Sequence, residues 1–143
     1  MENSVKKGRS FQELKIGDKA EFEVIITEEM HGNFAELSGD KSPIHTNSEF
    51  SKQNGFDNKI GYAFLLSSFL SRLYGEYLPG GSSICLKQEL KFIKPYFVGD
   101  TVIIRGEIVN RSESTKIADI KVEIVRNKTE IVSNGIGTVK LLF

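Results

Sequence analysis

An aspartate and a histidine lie five residues apart in a segment that glycine and proline interrupt. Asp40 and His45 both fall within residues 37–45, where Gly39 and Pro43 predict a loop rather than a regular element. A carboxyl group with an ordinary pKa of about 3.9 and an imidazole with an ordinary pKa of about 6.5 can serve as base and acid at neutral pH when the fold brings them together. Addition of water across a double bond needs such a pair. The same residues also have a simpler interpretation, in which Asp40 caps a turn and His45 is a solvated loop side chain.

The elements that precede and follow this segment must hold it in place. Residues 19–26 alternate polar and apolar side chains, which predicts a half-buried strand. Thr27, followed by two glutamates, is typical of a helix N-cap, and the helix is predicted to end at Gly39. Asn47 is expected to cap a second short helix that closes at Asn54.

The rest of the chain predicts one long helix followed by strands. Residues 62–78 are the most apolar stretch and predict a helix that is buried on most sides and ends at Pro79. Four runs typical of strands follow, at residues 83–93, 101–110, 115–126 and 130–142. This order of elements predicts an α+β domain in which an antiparallel sheet wraps a single buried helix.

Length and charge narrow the class of protein. The 143 residues suit one domain, which we place at residues 11–143 after a flexible tail at residues 1–10. Basic and acidic residues number 19 each, so no net charge attracts nucleic acid or a lipid surface, and we expect neither partner. No apolar run approaches the ~20 residues of a membrane span. Cys85 has no second cysteine to pair with, which favours a reducing, cytoplasmic location.

A family resemblance gives the Asp40 and His45 segment a specific meaning. Residues 34–45 read Phe-Ala-Glu-Leu-Ser-Gly-Asp-Lys-Ser-Pro-Ile-His, and Ser51 follows six residues after His45. This stretch resembles the hydratase motif of the MaoC-like, (R)-specific enoyl-CoA hydratase family. The similarity covers most of residues 11–109, through segments at 55–56, 60–66, 78–80 and 90–100. It implies the hot-dog fold, a long central helix wrapped by an antiparallel sheet, in agreement with the pattern of elements.

The resemblance also implies a reaction and a set of site residues. Asp40 and His45 match the catalytic pair of the family, which reversibly adds water to trans-2-enoyl thioesters to give (R)-3-hydroxyacyl thioesters. Tyr62 and Ala63 at the start of the buried helix are the expected substrate-binding element, because a backbone N–H there can stabilise the thioester oxygen. Ser71 aligns with a helix serine of the family and is a further substrate-binding candidate. A homodimer and a substrate carried by coenzyme A or acyl carrier protein are also implied, and the chemistry calls for no metal or other cofactor.

Three departures from the family pattern keep two alternatives open. Ser42 stands where the family usually has asparagine, and Tyr62 and Ala63 stand where it commonly has histidine and glycine. These changes bear on how the substrate fits more than on the proton chemistry. The alternatives are an acyl-CoA thioesterase, since one fold hosts many functions, and a noncatalytic subunit that binds acyl thioesters.

The remaining notable side chains have structural interpretations. We expect His31 to be exposed on its short helix and Cys85 to be a small core residue of a strand. Three apolar residues of the long helix are expected to form walls of the acyl pocket: Phe64, Leu65 and Phe69. The lysines at 87, 91 and 94 either meet the phosphates of coenzyme A or form a solvated face.

Overall fold

The structure, a computed structural model, describes residues 8–143. Residues 1–7 of the predicted tail lie outside this range. At the start of the described chain, the Arg9 backbone N–H donates to the Pro79 carbonyl at 3.2 Å, and the Arg9 guanidinium pairs with Asp18. A single 3-10 turn, Phe11–Glu13, buries the Phe11 ring and leads into the first strand.

Five antiparallel strands form one sheet. The strands are β1 (Lys19–Ile25), β2 (Ser83–Phe92), β3 (Thr101–Ser112), β4 (Ile117–Arg126) and β5 (Glu130–Leu141). Their order across the sheet is β1-β3-β4-β5-β2, so that β1 and β2 form its two edges. All five strands predicted from the sequence are confirmed, with ends that differ by one or two residues.

The sheet has an apolar inner face because its central strands alternate. Over residues 101–108 of β3 and 117–124 of β4, every second side chain is buried, and the residues between are partly or fully exposed. β-branched residues dominate the buried set, and they pack well on a pleated surface. Six of them are completely buried: Val102, Ile104, Ile108, Ile120, Val122 and Ile124.

Four helices lie between β1 and β2. They are α1 (Glu28–Ser38), α2 (Pro43–Thr46), α3 (Ser48–Gln53) and α4 (Ala63–Arg72). The Thr27 and Asn47 caps are confirmed, because each side chain accepts a backbone N–H of its helix. Helix α1 ends at Gly39, whose φ of 75° is the left-handed conformation that glycine adopts without strain. Within residues 8–143, no helix combines the length and the apolar character needed to cross a membrane.

Helix α4 is the central helix of the domain. It continues through a π-helical turn, Leu73–Tyr77, so the helical segment spans nearly the whole predicted range of residues 62–78. Leu65, Leu66 and Leu70 are buried against the sheet. Leu73 packs over Gly106 of β3, where a Cβ would lie only 3.0 Å from the Leu73 Cδ2 atom. The hot-dog arrangement of a helix wrapped by an antiparallel sheet is therefore confirmed.

Edge strand β2 differs from the central strands. In the part of the chain that the structure describes, it pairs with β5 alone, and a bulge interrupts the register between Cys85 and Lys87. The prediction that Cys85 is a core residue is wrong, since Cys85 is exposed. The residues on either side of Cys85, Ile84 and Leu86, are apolar, which is typical of a core strand. Because β2 lies at the edge of the sheet, this part of the strand is nevertheless left uncovered.

Replacement of Leu73 tests the packing between the central helix and the sheet. Leu73→Ala should lower the free energy of unfolding by about 2–5 kcal/mol, because it leaves a cavity in a fully buried site. Urea denaturation followed by circular dichroism measures the change. Leu37→Ala, at an exposed position of α1, is the control and should change stability by less than about 0.5 kcal/mol. Equal effects of the two substitutions would contradict the proposed packing.

Candidate active site

The fold brings Asp40 and His45 together. The Oδ2 atom of Asp40 lies 3.9 Å from the Nε2 atom of His45. The Asp40 carboxylate is 46% exposed and the His45 side chain 17% exposed, so both can meet a molecule from solvent. The simpler interpretation of Asp40 as a turn cap also has support, since its carboxylate closes a local turn.

The loop that holds Asp40 is closed by short-range hydrogen bonds. The Ser42 backbone N–H donates to Asp40 Oδ1 at 3.0 Å, which forms a local turn around the carboxylate. The Ser38 hydroxyl oxygen accepts the Asp40 backbone N–H at 3.1 Å. One carboxylate oxygen is thus engaged in the loop, and the other faces His45.

His45 lies on α2, a four-residue helix inside a segment predicted to be a loop. Pro43 at its first turn provides the fixed φ angle that starts a helix. The His45 Nδ1 atom lies 2.7 Å from the Ile60 carbonyl oxygen, which can only accept, so Nδ1 carries the hydrogen. In the neutral ring, Nε2 then has a free lone pair on the side of Asp40.

Two backbone carbonyls near His45 anchor this short helix to the rest of the domain. The Ile44 carbonyl accepts the Ser51 hydroxyl at 2.9 Å and the Ile60 N–H at 3.0 Å. The His45 carbonyl accepts the Nε2 hydrogen of His31 at 2.7 Å. Ser51, the serine that follows the motif, is thus completely buried and bonds the backbone of the residue before His45.

The prediction that His31 is a surface residue is wrong. His31 is 4% exposed, and its ring packs against Tyr62 with 4.7 Å between ring centroids. Phe34 and Ala35 follow His31 by three and four residues, a spacing that puts side chains on one face of a helix. Both of those residues pack in or against the core. This spacing was the signal in the sequence that His31 belongs to the buried face of α1.

Tyr62 and Ala63 form the junction at the start of α4. Tyr62 is the N-cap residue and is 2% exposed, and its carbonyl accepts the Tyr96 hydroxyl at 2.6 Å. The Tyr62 hydroxyl donates to the Asp40 carbonyl at 2.5 Å. Ala63 is the first residue of the helix, where backbone N–H groups have no intrahelical acceptor. The helix start is therefore directly connected to the Asp40 loop.

Ser71 lies further from the pair. It is exposed on α4, eight residues after Ala63, which corresponds to about 12 Å along a helix axis. It borders a groove of about 430 Å³ between α4 and β2, together with Ser67, Ser83 and Gln88. Among the expected pocket walls, Leu65 is buried and Phe69 partly buried, whereas Phe64 is 72% exposed.

The charges at the site are set by hydrogen bonding and burial. The Ser42 hydroxyl, and then its backbone N–H, hold the pKa of Asp40 below its usual value, so Asp40 is ionised at neutral pH. Burial, followed by the nearby Asp40 carboxylate, raises the pKa of Tyr62, whose hydroxyl therefore remains a donor. An ionised carboxylate and an imidazole lone pair that face one point can hold a water molecule and exchange a proton with it.

Comparison with known proteins places these features in a family. A sequence profile described as "MaoC like domain" matches residues 11–131. The chain is 35% identical over 132 residues to the (R)-specific enoyl-CoA hydratase of Aeromonas caviae, with 92% of this chain and 98% of the relative covered. It is 26% identical over 121 residues to the mitochondrial 3-hydroxyacyl-acyl-carrier-protein dehydratase of Arabidopsis thaliana, with 83% and 72% covered.

Solved structures show the same fold. The (R)-hydratase from A. caviae involved in PHA biosynthesis superposes with a TM-score of 0.87 at 35% identity, over 91% of this chain and 98% of the other. R-hydratase PhaJ1 from Pseudomonas aeruginosa in the unliganded form gives a TM-score of 0.88 at 25% identity, over 94% and 86%. The resemblance found in the sequence is thus confirmed over nearly the whole chain.

Removal of the Ser42 hydroxyl tests the electrostatics of the loop. Ser42→Ala should raise the pKa of Asp40 toward its ordinary value, because the largest stabilising contact of the carboxylate is lost. A carbon-13 NMR titration of the Asp40 carboxyl carbon measures the shift. Ser38→Ala is the control, since Ser38 bonds the Asp40 backbone and not its carboxylate. An Asp40 pKa unchanged in Ser42→Ala would contradict the assignment.

Proposed function

This chain belongs to the MaoC-like domain family, and we propose that Asp40 and His45 are the catalytic pair with which it hydrates trans-2-enoyl thioesters to (R)-3-hydroxyacyl thioesters, reversibly. It is a hydratase or dehydratase, a lyase, in line with the names of its relatives. The observation that supports the pair is the 3.9 Å approach of Asp40 Oδ2 to His45 Nε2, with the imidazole hydrogen held on Nδ1. The thioesterase and binding-subunit alternatives remain outcomes of the test below.

The proposed reaction uses one water molecule between the two side chains. Asp40 Oδ2 and His45 Nε2 both accept hydrogen bonds, so a water between them points its oxygen lone pair away from both. An imidazole is more basic than a carboxylate whose pKa is held low, so His45 Nε2 takes the proton as the water oxygen bonds to C3. Asp40 orients the water and stabilises the imidazolium that forms.

The second half of the reaction returns the proton to the substrate. When the C3–O bond forms, the electron pair of the double bond moves toward the thioester carbonyl and gives an enolate-like state. The His45 Nε2–H then protonates C2 on the face from which the water was added, which is syn addition. The reverse sequence removes water from a 3-hydroxyacyl thioester.

The start of α4 is the proposed site for the thioester carbonyl. The Ala63 N–H belongs to the positive end of the helix, and Tyr62 makes no side-chain capping bond to it. A backbone donor aimed at a developing oxyanion typically contributes on the order of 3 kcal/mol to transition-state stability. Ser71 is retained as a proposed substrate-binding residue, because its hydroxyl is exposed beside the groove along the same helix.

The thioester carrier, the absence of a cofactor and the cellular location of the protein are also proposals. The relatives are named for both CoA and acyl-carrier-protein substrates, so either thioester carrier is consistent with the family. Proton transfer and carbonyl polarisation need no metal or redox cofactor. The cytoplasmic location expected from the single cysteine also stays a prediction.

We further propose a homodimer formed through β2 and the outer face of α4. Among residues 8–143, no strand pairs with the outer edge of β2, and apolar side chains are exposed beside it. These residues are Phe64, Ile84, Leu86 and Phe92. The rings of Phe64 on α4 and Phe92 on β2 meet edge to face, with 6.1 Å between their centroids. The helix and the strand therefore present one continuous apolar patch. A second copy of the chain would cover it by pairing β2 with β2.

Loss of the carboxylate tests the catalytic pair. Asp40→Asn should lower kcat for hydration of crotonyl-CoA by about 100-fold or more, because the amide has no charge to stabilise the imidazolium. The loss of enoyl-thioester absorbance measures the rate, and chiral chromatography identifies the product as (R)-3-hydroxybutyryl-CoA. His45→Gln should have a similar effect.

The same assay separates the alternatives. Free thiol release without hydration would indicate a thioesterase, and binding of crotonyl-CoA without turnover by wild-type protein would indicate a binding subunit. Glu49→Gln is the matched control, because Glu49 is an exposed acid on the neighbouring helix α3. Wild-type activity in Asp40→Asn would contradict the role given to Asp40.

A charge placed on β2 tests the dimer. Leu86→Lys should convert the wild-type dimer to a monomer, because an ammonium group would be buried in the proposed interface. Light scattering after size-exclusion chromatography gives the mass. Ile16→Lys introduces the same charge at another exposed apolar residue outside β2 and α4, and should leave the dimer intact. A wild-type monomer at micromolar concentration would refute the proposal.

A further inference from the structure

Tyr62 touches both members of the Asp40 and His45 pair without being open to solvent. Its hydroxyl bonds the Asp40 carbonyl, its ring lies against the His45 ring, and it is 2% exposed. We propose that the Tyr62 side chain is the positioning residue that sets the distance and angle between Asp40 and His45. This inference rests on the proposed function, because it assumes that Asp40 and His45 are the catalytic pair.

The Tyr62 hydroxyl ties the Asp40 loop to the body of the protein. In the described part of the chain, the other hydrogen bonds of Asp40 go to Ser38, the last residue of α1, and to Ser42 in the same loop. Those bonds shape the loop but do not place it relative to the sheet or to α4. The 2.5 Å bond from Tyr62 joins the Asp40 backbone to the first turn of the central helix.

The Tyr62 ring fixes the orientation of the His45 imidazole. The two rings are stacked, with centroids 4.1 Å apart and planes inclined by 26°. The bond from Nδ1 to the Ile60 carbonyl fixes one edge of the imidazole, and contact with the Tyr62 face fixes the plane. Together the two contacts direct Nε2 toward Asp40.

Tyr62 is itself held from several sides. His31 and Phe34 of α1 lie against its ring at 4.7 and 4.9 Å, and the Tyr96 hydroxyl bonds its carbonyl at 2.6 Å. Helix α2 has four residues and no buried side chain, and a helix of that length is unstable alone, so contacts from outside it hold His45 in place. Bonds from other elements anchor its backbone, and Tyr62 adds the contact that connects His45 with Asp40.

Positioning of this kind affects the chemical step more than binding. A displacement of about 1 Å can cost on the order of 100-fold in rate when reacting groups must be aligned. The buried Tyr62 side chain makes no contact available to a substrate, so KM should change little when its hydroxyl is removed. A purely structural role would instead lower thermal stability with kcat preserved.

The test compares Tyr62→Phe with Ser133→Ala. Tyr62→Phe removes the hydroxyl and keeps the ring that stacks on His45. Ser133→Ala also deletes one buried hydroxyl that bonds a backbone carbonyl, that of Lys91 at 2.7 Å, and it lies on β5 outside the proposed site. We expect a 10- to 100-fold lower kcat with crotonyl-CoA and a KM within twofold for Tyr62→Phe, and wild-type kinetics for Ser133→Ala.

A second measurement does not depend on activity. Hydrogen exchange of the backbone amides of residues 40–42 and 44–46 should accelerate at least tenfold in Tyr62→Phe and stay unchanged in Ser133→Ala, while the amides of α4 keep their protection. Unchanged exchange in this loop, or a kcat within twofold of wild type, would overturn the proposal. If the wild-type protein hydrates no enoyl thioester, the proposed function fails, and the exchange of residues 40–46 still decides whether Tyr62 holds the loop.

Discussion

The burial of α4 against the inner face of the sheet is the constraint on which the other features depend. Three leucines of this helix, Leu65, Leu66 and Leu70, are buried in a close-packed core. A shift of the helix would therefore open cavities in that core. The start of the helix, which comprises the N-cap Tyr62 and Ala63, is therefore held in a fixed position. Helix α2 has no buried side chain of its own, and the Asp40 loop and α2 both contact Tyr62 at this fixed helix start.

The candidate site is built largely from bonds to backbone carbonyls. His45 donates to the Ile60 carbonyl, His31 to the His45 carbonyl and Tyr62 to the Asp40 carbonyl. A carbonyl accepts and never donates, so each of these bonds assigns a hydrogen to a defined atom of the side chain. The tautomer of His45 thus follows from the position of the Ile60 carbonyl, and no acidic group orients the Nδ1 side of the imidazole in the described residues.

Local patterns in the sequence predicted most of the fold, and long-range contacts account for what they missed. The Thr27 and Asn47 caps, the Gly39 helix end and the alternation of the strands all act within a few residues, and all are confirmed. The burial of His31 and the exposure of Cys85 depend on which elements meet in space, and α2 depends on anchors that lie outside it. The motif named Asp40 and His45, but the part played by Tyr62 follows from a contact across 22 residues that no spacing rule encodes.

The hydrogen on His45 Nδ1 has a consequence for where the atoms of the product originate. Because Nδ1 already donates to the Ile60 carbonyl, a proton that arrives at Nε2 has no exit through the far side of the ring. Under the proposed reaction the imidazole therefore does not pass the proton on through Nδ1, and it takes up and returns a proton at the same atom, Nε2. One water molecule is then enough to supply both the hydroxyl group at C3 and the new hydrogen at C2, and the net addition consumes no proton from the solvent.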